Sequence, residues 1–284
     1  MRFASIKRNG IEGIGLVTGD RAKACWANTA TYPGSLDDLV KGGMPALQAA
    51  GVQLASGEDV ALSDVELLPP LRRAPKLICI GLNYADHSKE SGFATPTYPA
   101  IFSRYNSSLM GHGAPMVRPT VSGDLDFEGE MAVIIGKGGK HIALADALDH
   151  VVGYSVFNDG SVRDYQMKST QWTIGKNFDN TGAFGPTLVT ADELPPGAKG
   201  LKIETRLNGE VVQSSNIDHM IFDVATLVHL LSQAHALEAG DVIVSGTPAG
   251  VGMARKPPLW MKPGDVCEVE IEKIGVLRSP ITAE

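Results

Sequence analysis

Leu125-Asp126-Phe127-Glu128-Gly129-Glu130-Met131-Ala132-Val133-Ile134-Ile135 is the stretch on which the reading of this chain turns. The apolar run from Met131 to Ile135 reads as a buried strand. A strand places residues i and i+2 on one face. Glu128 and Glu130 therefore stand side by side at its leading end, next to an apolar core. Two carboxylates that close repel, and each loses solvation. A hard divalent cation, which takes oxygen ligands, offsets both costs. Taken alone, the stretch fits equally well a solvated strand end with two surface glutamates.

Outward from this strand, strand signals dominate. They cover 76–81, 127–136, 151–158, 201–207, 210–214, 241–246 and 264–272, and Asn208-Gly209 joins two of them as a tight hairpin. One clear helix is predicted from about Asp223 to Leu237, where Val224, Leu227, Val228, Leu231 and Ala234 follow helical spacing. Toward the N-terminus, residues 2–8 and 14–18 form a hairpin around Asn9-Gly10. Ser35 is placed to cap a helix from Leu36 to Ala50, ended by Gly51. Leu67-Leu68-Pro69-Pro70 reads as a linker. The expected organisation is a small N-terminal α+β domain over 1–70 and a main body over 71–284. The fold class is α+β and β-rich, with mixed or antiparallel pairing rather than a doubly wound sheet.

Composition narrows the function. The chain has 284 residues, 43% of them hydrophobic, which suffices for a real core. Its net charge of −7 argues against a nucleic-acid surface. No apolar run approaches the roughly 20 residues that span a bilayer, so no membrane association is expected. Met1 to Arg8 carries charge with no apolar segment behind it, so no signal peptide is expected. Cys25, Cys79 and Cys267 are odd in number and widely spaced, with no disulfide or zinc pattern. A reducing cytoplasm follows as the expected compartment.

Other segments carry candidate chemistry. Asp159 stands at a strand-to-helix turn in Asn158-Asp159-Gly160-Ser161-Val162-Arg163, as a functional acid or as a helix N-cap. If 161–167 is helical, Arg163 and Gln166 project from one side, although Arg163 could equally pair with Asp164 at the surface. His87 and Glu90 are three apart, and a carboxylate beside an imidazole orients it and raises its basicity. Flanking glycines would let that segment move as a lid. Lys176, in Gly175-Lys176-Asn177-Phe178, can hold an anion or a developing oxyanion, or simply meet solvent. Ser245-Gly246-Thr247-Pro248-Ala249-Gly250-Val251-Gly252 lacks the lysine of a phosphate loop. It reads as a loop offering backbone amides and the Thr247 hydroxyl to a small anionic group, or as plain turn chemistry.

In their order, these segments resemble the fumarylacetoacetate hydrolase family over roughly residues 76–284. The matching pieces are Ile80-Gly81-Leu82-Asn83-Tyr84 with His87 and Glu90, Asp126-Phe127-Glu128-Gly129-Glu130, Asn158 to Gln166, Gly175 to Asp179, Phe184-Gly185-Pro186, Leu207-Asn208-Gly209 and Ser245 to Gly252. The resemblance implies a β-rich roll of sandwich type, usually dimeric, so a homodimer is expected. It implies a metal on Glu128, Glu130 and Asp159, usually Mg2+, with Mn2+ or Ca2+ as alternatives. It makes His87 and Glu90 a water-activating dyad on a closing lid and Lys176 the oxyanion donor. Tyr84, Ser103, Arg163, Gln166 and Thr247 would contact the substrate. Two departures stand out. Arg104, in Phe102-Ser103-Arg104-Tyr105, occupies a position where many relatives carry lysine, and Gly160 replaces a larger residue.

The implied activity is hydrolysis of a carbon–carbon bond in a 2,4-dioxo acid such as an acylpyruvate, fumarylpyruvate or a diketo-deoxy sugar acid. The same centre serves an oxaloacetate-type decarboxylase or a dienoate isomerase. A non-catalytic metal-binding protein is the remaining alternative.

Overall fold

The computed structural model describes residues 1–90, 92 and 94–284. Strand Gly129–Ile135 is buried along its whole length. It lies between Val151–Asp159 and Val242–Val244, antiparallel to both. Its alternation divides the molecule. Met131, Val133 and Ile135 face one apolar core, and Ala132 and Ile134 face another, as a period of two requires. The first core is closed by a five-stranded sheet through Ile203, Leu207, Val269 and Leu277, and by helix Val224–Ala234 through Leu227, Val228 and Leu231. The second is closed by Phe3, Leu36 and Leu47 of the N-terminal region.

The fold is α+β and β-rich, with mixed pairing. Val242–Val244 runs parallel to Leu77–Gly81, which pairs antiparallel with the edge strand Ala100–Ser103. On the other side, Val151–Asp159 pairs with Gly182–Thr190, which pairs with Arg2–Arg8. The N-terminal strands Arg2–Arg8, Ile11–Thr18, Arg21–Trp26 and Glu58–Ala61 thus extend the main twelve-stranded sheet. A smaller cluster around Ala4, Ile6, Trp26 and Val60 belongs to that region alone.

The Asn9-Gly10 and Asn208-Gly209 turns form as expected, with positive φ at all four residues. Asp223 caps its helix by accepting from the Thr226 N–H at 2.9 Å. That helix stops at Ala234, short of the expected Leu237. The helix expected over 36–50 is broken. It runs Leu36–Leu39, tightens to a 3-10 turn at Val40–Gly42, and resumes at Gly43–Leu54. Gly43 sits at φ 64°, a conformation that suits glycine and interrupts the helix. Gly51 is not its terminator. A side chain there would meet Met1 Sδ at 2.5 Å, so the glycine gives the chain start room. Ser35 makes no backbone cap, and its hydroxyl donates to Asp38 instead. Among the described residues no helix is long and apolar enough to cross a membrane.

Candidate active site

Pairing Gly129 with Asn158 brings the end of one strand to the start of the other. Asn158 Oδ1 accepts from the Glu128 N–H at 3.0 Å, and the Asp159 N–H donates to Glu128 O at 2.9 Å. Asp159, thirty residues from Glu128 in sequence, is thereby fixed beside it. Glu128, Glu130 and Asp159 each present a carboxylate oxygen within 4.8 Å of the others. All three are buried, at 5%, 2% and 0% exposure, so neither a solvated strand end nor a helix cap describes them.

Three cations meet this cluster. Arg163 Nη2 lies 2.7 Å from Glu128 Oε1. Lys176 Nζ bridges Glu128 Oε2 at 2.5 Å and Asp159 Oδ2 at 2.7 Å. Arg104 Nη1 lies 2.5 Å from Asp159 Oδ1. Among the described residues Glu130 has only the Gly246 N–H, which donates to Oε2 at 2.6 Å. The titration behaviour follows from these partners. Burial raises the Glu128 carboxyl, but Arg163 and Lys176 overcome it and hold the group well below the usual range. Burial, with Asp159 and Glu128 beside it, pushes Glu130 well above that range. Burial depresses Lys176, but Asp159 and Glu128 outweigh it and keep the ammonium charged.

Asp126 anchors this arrangement, and the sequence reading assigned it no role. Its oxygens accept from the N–H groups of Phe127, Gly252 and Met253 at 2.8, 2.7 and 2.9 Å and from Arg163 Nε at 2.8 Å. The signal available was its place at the head of the quoted stretch. Arg163 opens the short helix Arg163–Gln166 and donates to Gln166 Oε1 at 2.9 Å. It does not pair with Asp164, which accepts from Ser122.

Facing the carboxylates is helix Ala85–Glu90. His87 Nδ1 and Glu90 Oε1 are 3.0 Å apart, and both Glu90 oxygens accept from the Gly250 N–H at 3.0 and 2.9 Å. Ser91, at the end of this segment, lies outside the described residues. The loop from Ser245 thus spends its amides on protein carboxylates: Gly246 on Glu130, Gly250 on Glu90, Gly252 and Met253 on Asp126. The Thr247 hydroxyl donates to Gly129 O at 3.0 Å. The expectation that these amides serve a small anion is corrected, because the buried Glu130 and Asp126 and the exposed Glu90 take them.

His87, Glu128, Glu130, Arg163, Gln166, Lys176 and Thr247 line one cavity of about 100 Å3. Its apolar wall includes Phe102, Trp172 and Met253. Trp172 packs edge-on to Phe102 at 5.6 Å between ring centroids and fills the space over Gly81, where a Cβ would stand 2.3 Å from the indole. Tyr84 and Ser103 are not brought into this cavity. Strand alternation turns Phe102 inward and Ser103 to solvent. Tyr84 is buried behind the helix, in a pocket shared with His219 and Pro248, and its hydroxyl has no partner among the described residues.

The donor set fits a hard cation. Four buried carboxylates, Asp126, Glu128, Glu130 and Asp159, face three buried cations, Arg104, Arg163 and Lys176. With all four carboxylates ionised the all-oxygen triad carries one negative charge more than these cations match, which a proton on Glu130 or a bound cation would offset.

Comparison with known proteins finds relatives over most of the chain. Residues 76–282 match the family described as fumarylacetoacetate (FAA) hydrolase C-terminal. The chain is 42% identical over 268 residues to the mitochondrial oxaloacetate tautomerase Fahd2a of Rattus norvegicus, covering 93% of this chain and 85% of the relative. It resembles the structure of a fumarylacetoacetate hydrolase from psychrophilic Exiguobacterium antarcticum, at 37% identity and TM-score 0.87, with 100% of both chains covered. It also resembles maleylpyruvate hydrolase from Sphingobium sp. SYK-6 in complex with manganese (II) ion and pyruvate, at 26% identity and TM-score 0.83, covering 100% of this chain and 99% of that one.

Proposed function

The chain belongs to the fumarylacetoacetate hydrolase family, and from that premise we propose that it is a metal-dependent enzyme moving a proton on a small 2-oxo acid of the oxaloacetate type, interconverting its keto and enol forms. The observation that carries this reading is the His87–Glu90 pair facing the carboxylate triad and Lys176 in one cavity of about 100 Å3. Glu128, Glu130 and Asp159 would hold a divalent cation, Mg2+ or Mn2+, which would supply Lewis acidity to the bound 2-oxo acid.

The remaining work falls to side chains. With Nδ1–H of His87 donating to the Glu90 carboxylate, Nε2 is left as the basic nitrogen. His87 Nε2 takes a proton from C3, and the electron pair of that C–H bond becomes the C2–C3 double bond. Lys176 donates hydrogen bonds as negative charge collects on the 2-oxo oxygen. Return of that proton from His87 Nε2 to the oxygen completes the enol and regenerates the base, and the reverse sequence gives the keto acid. The apolar wall of Phe102, Trp172 and Met253 keeps bulk water from the reacting carbon.

Similarity to an oxaloacetate tautomerase at 42% identity supports this reaction class. Similarity to a maleylpyruvate hydrolase with pyruvate bound supports a second reading, in which the same base activates water against the distal carbonyl of a 2,4-dioxo acid. The deciding experiment follows enol-oxaloacetate absorbance and acylpyruvate or fumarylpyruvate cleavage side by side, with metal and with chelator. Chelator-sensitive acceleration of enol loss, without carbon dioxide release, is the expected result. Cleavage of a dioxo acid with no effect on the enol would replace this reading with the hydrolase, and carbon dioxide release from oxaloacetate with the decarboxylase.

A further inference from the structure

Asp159 is held from behind by a residue that does not line the cavity. Arg104 is 3% exposed. Its Nη1 binds Asp159 Oδ1 at 2.5 Å and donates to Gly160 O at 3.2 Å. Its Nη2 donates to Thr181 Oγ1 at 2.8 Å, and Nε to Ser108 Oγ at 3.2 Å. One face is closed by Gly182, where a Cβ would stand 2.9 Å from the guanidinium. The Phe157 ring centre lies 5.9 Å from its carbon. With its nitrogens committed and a face blocked, the guanidinium has no second position.

The consequence appears when each carboxylate is followed oxygen by oxygen. Asp159 Oδ1 is committed to Arg104, Glu128 Oε1 to Arg163 at 2.7 Å, and Glu130 Oε2 to the Gly246 N–H at 2.6 Å. The second oxygens of Glu128 and Asp159 share the single Lys176 ammonium, at 2.5 and 2.7 Å, so a cation that displaces that ammonium meets one oxygen of each acid while the guanidinium groups and the Gly246 N–H keep the others. One-oxygen ligands suit a small cation of strict octahedral geometry, whose other positions stay open to water and substrate. Ca2+ prefers six to eight oxygens and commonly takes both from a carboxylate.

We propose that Arg104 is a positioning residue that makes Asp159 a one-oxygen ligand and so biases the centre toward Mg2+ and Mn2+ and against Ca2+. The proposal rests on the metal reading above and concerns which cation the site selects.

The test measures dissociation constants for Mn2+ and Ca2+ by calorimetric titration of the metal-stripped full-length chain, wild type and Arg104→Met. Removing a buried positive charge raises affinity for both ions alike, and loosening the fold lowers both. Only release of Oδ1 moves their ratio. The expected result is a shift of the ratio toward Ca2+ by about tenfold in Arg104→Met. Arg104→Lys keeps a charge and a donor, and its ratio should stay near wild type. If Arg104→Met fails to fold, Arg104→Gln carries the test. Its amide nitrogen replaces Nε opposite Ser108 but ends two bonds short of Asp159, so the same shift is expected. An unmoved ratio in the folded variant, whatever the common change in affinity, overturns the proposal and leaves the metal reading standing. A wild-type protein that binds neither ion overturns the metal reading and this proposal with it.

Discussion

Glu128, Glu130 and Asp159 sit on or beside inner strands of a twelve-stranded sheet, each with a committed protein donor. His87 and Glu90 ride a six-residue helix whose tie to the opposite wall is one carboxylate on the Gly250 N–H. Among the described residues the first wall is held by buried ion pairs to Arg104, Arg163 and Lys176, and the second is not. The difference separates two tasks. A cation site must be preorganised, because its like charges have to be held together before the cation arrives. A proton-transferring base can be delivered by a segment of lower local stability that closes over the acid. The loop Ser245–Gly252 touches both walls, through Gly246 on Glu130 and Gly250 on Glu90.

The comparison breaks most sharply on the carboxylate wall. Glu128→Ala or Glu130→Ala should reduce turnover to background and abolish Mn2+ binding in calorimetry; losing Glu130 relieves repulsion, whereas losing Glu128 lowers Tm because Arg163 and Lys176 lose a buried partner. Undiminished Mn2+ binding in both variants would remove these residues as ligands.

On the opposite wall, His87→Ala should cut turnover by roughly 10²–10⁴-fold and leave the affinity for oxalate, a chelating mimic, near wild type. If oxalate affinity collapses together with turnover, the two walls do not divide binding from chemistry as drawn here. Glu90→Ala removes both the orienting carboxylate and the tie to Gly250, and a loss of about 10–100-fold in turnover is expected. Equal losses in His87→Ala and in the double variant would show that the pair acts as one unit.

The smallest effect lies in pH. The folded protein raises Glu130 above the ordinary carboxylate range, so burying it costs progressively more stability as pH climbs from that range toward the raised value. Glu128 is held low, so its contribution is present throughout neutral pH and is lost only as pH falls below the ordinary range. A cation that needs Glu130 ionised competes with its proton. The Tm gain from Mn2+ should therefore be smaller at pH 5 than at pH 8, by a few degrees, and Glu130→Gln should flatten the trend. A gain independent of pH in wild type would show that Glu130 is already ionised without metal.

Local patterns carried much of this into the sequence. Two Asn-Gly turns set two hairpins, an i, i+2 pair of glutamates led a buried strand, and an i, i+3 spacing joined His87 to Glu90. Each is a property of backbone periodicity over a few residues, which the residue types themselves fix. Tertiary structure decided the rest, because burial and partnership depend on which strand lies beside which. The pairing of Gly129 with Asn158 delivered Asp159 to the glutamates. Packing across the sheet gave Asp159 its Arg104 and Arg163 its Asp126. Alternation along Ala100–Ser103 put Phe102 in the cavity and Ser103 in solvent, and the helix before Ser91 left Tyr84 behind it. The reaction class was not legible in either glutamates or dyad, since hydrolysis, decarboxylation and proton transfer on a 2-oxo acid call on the same charges. What discriminates among them is the shape and polarity of the space those charges enclose, which forms only once separate strands have packed.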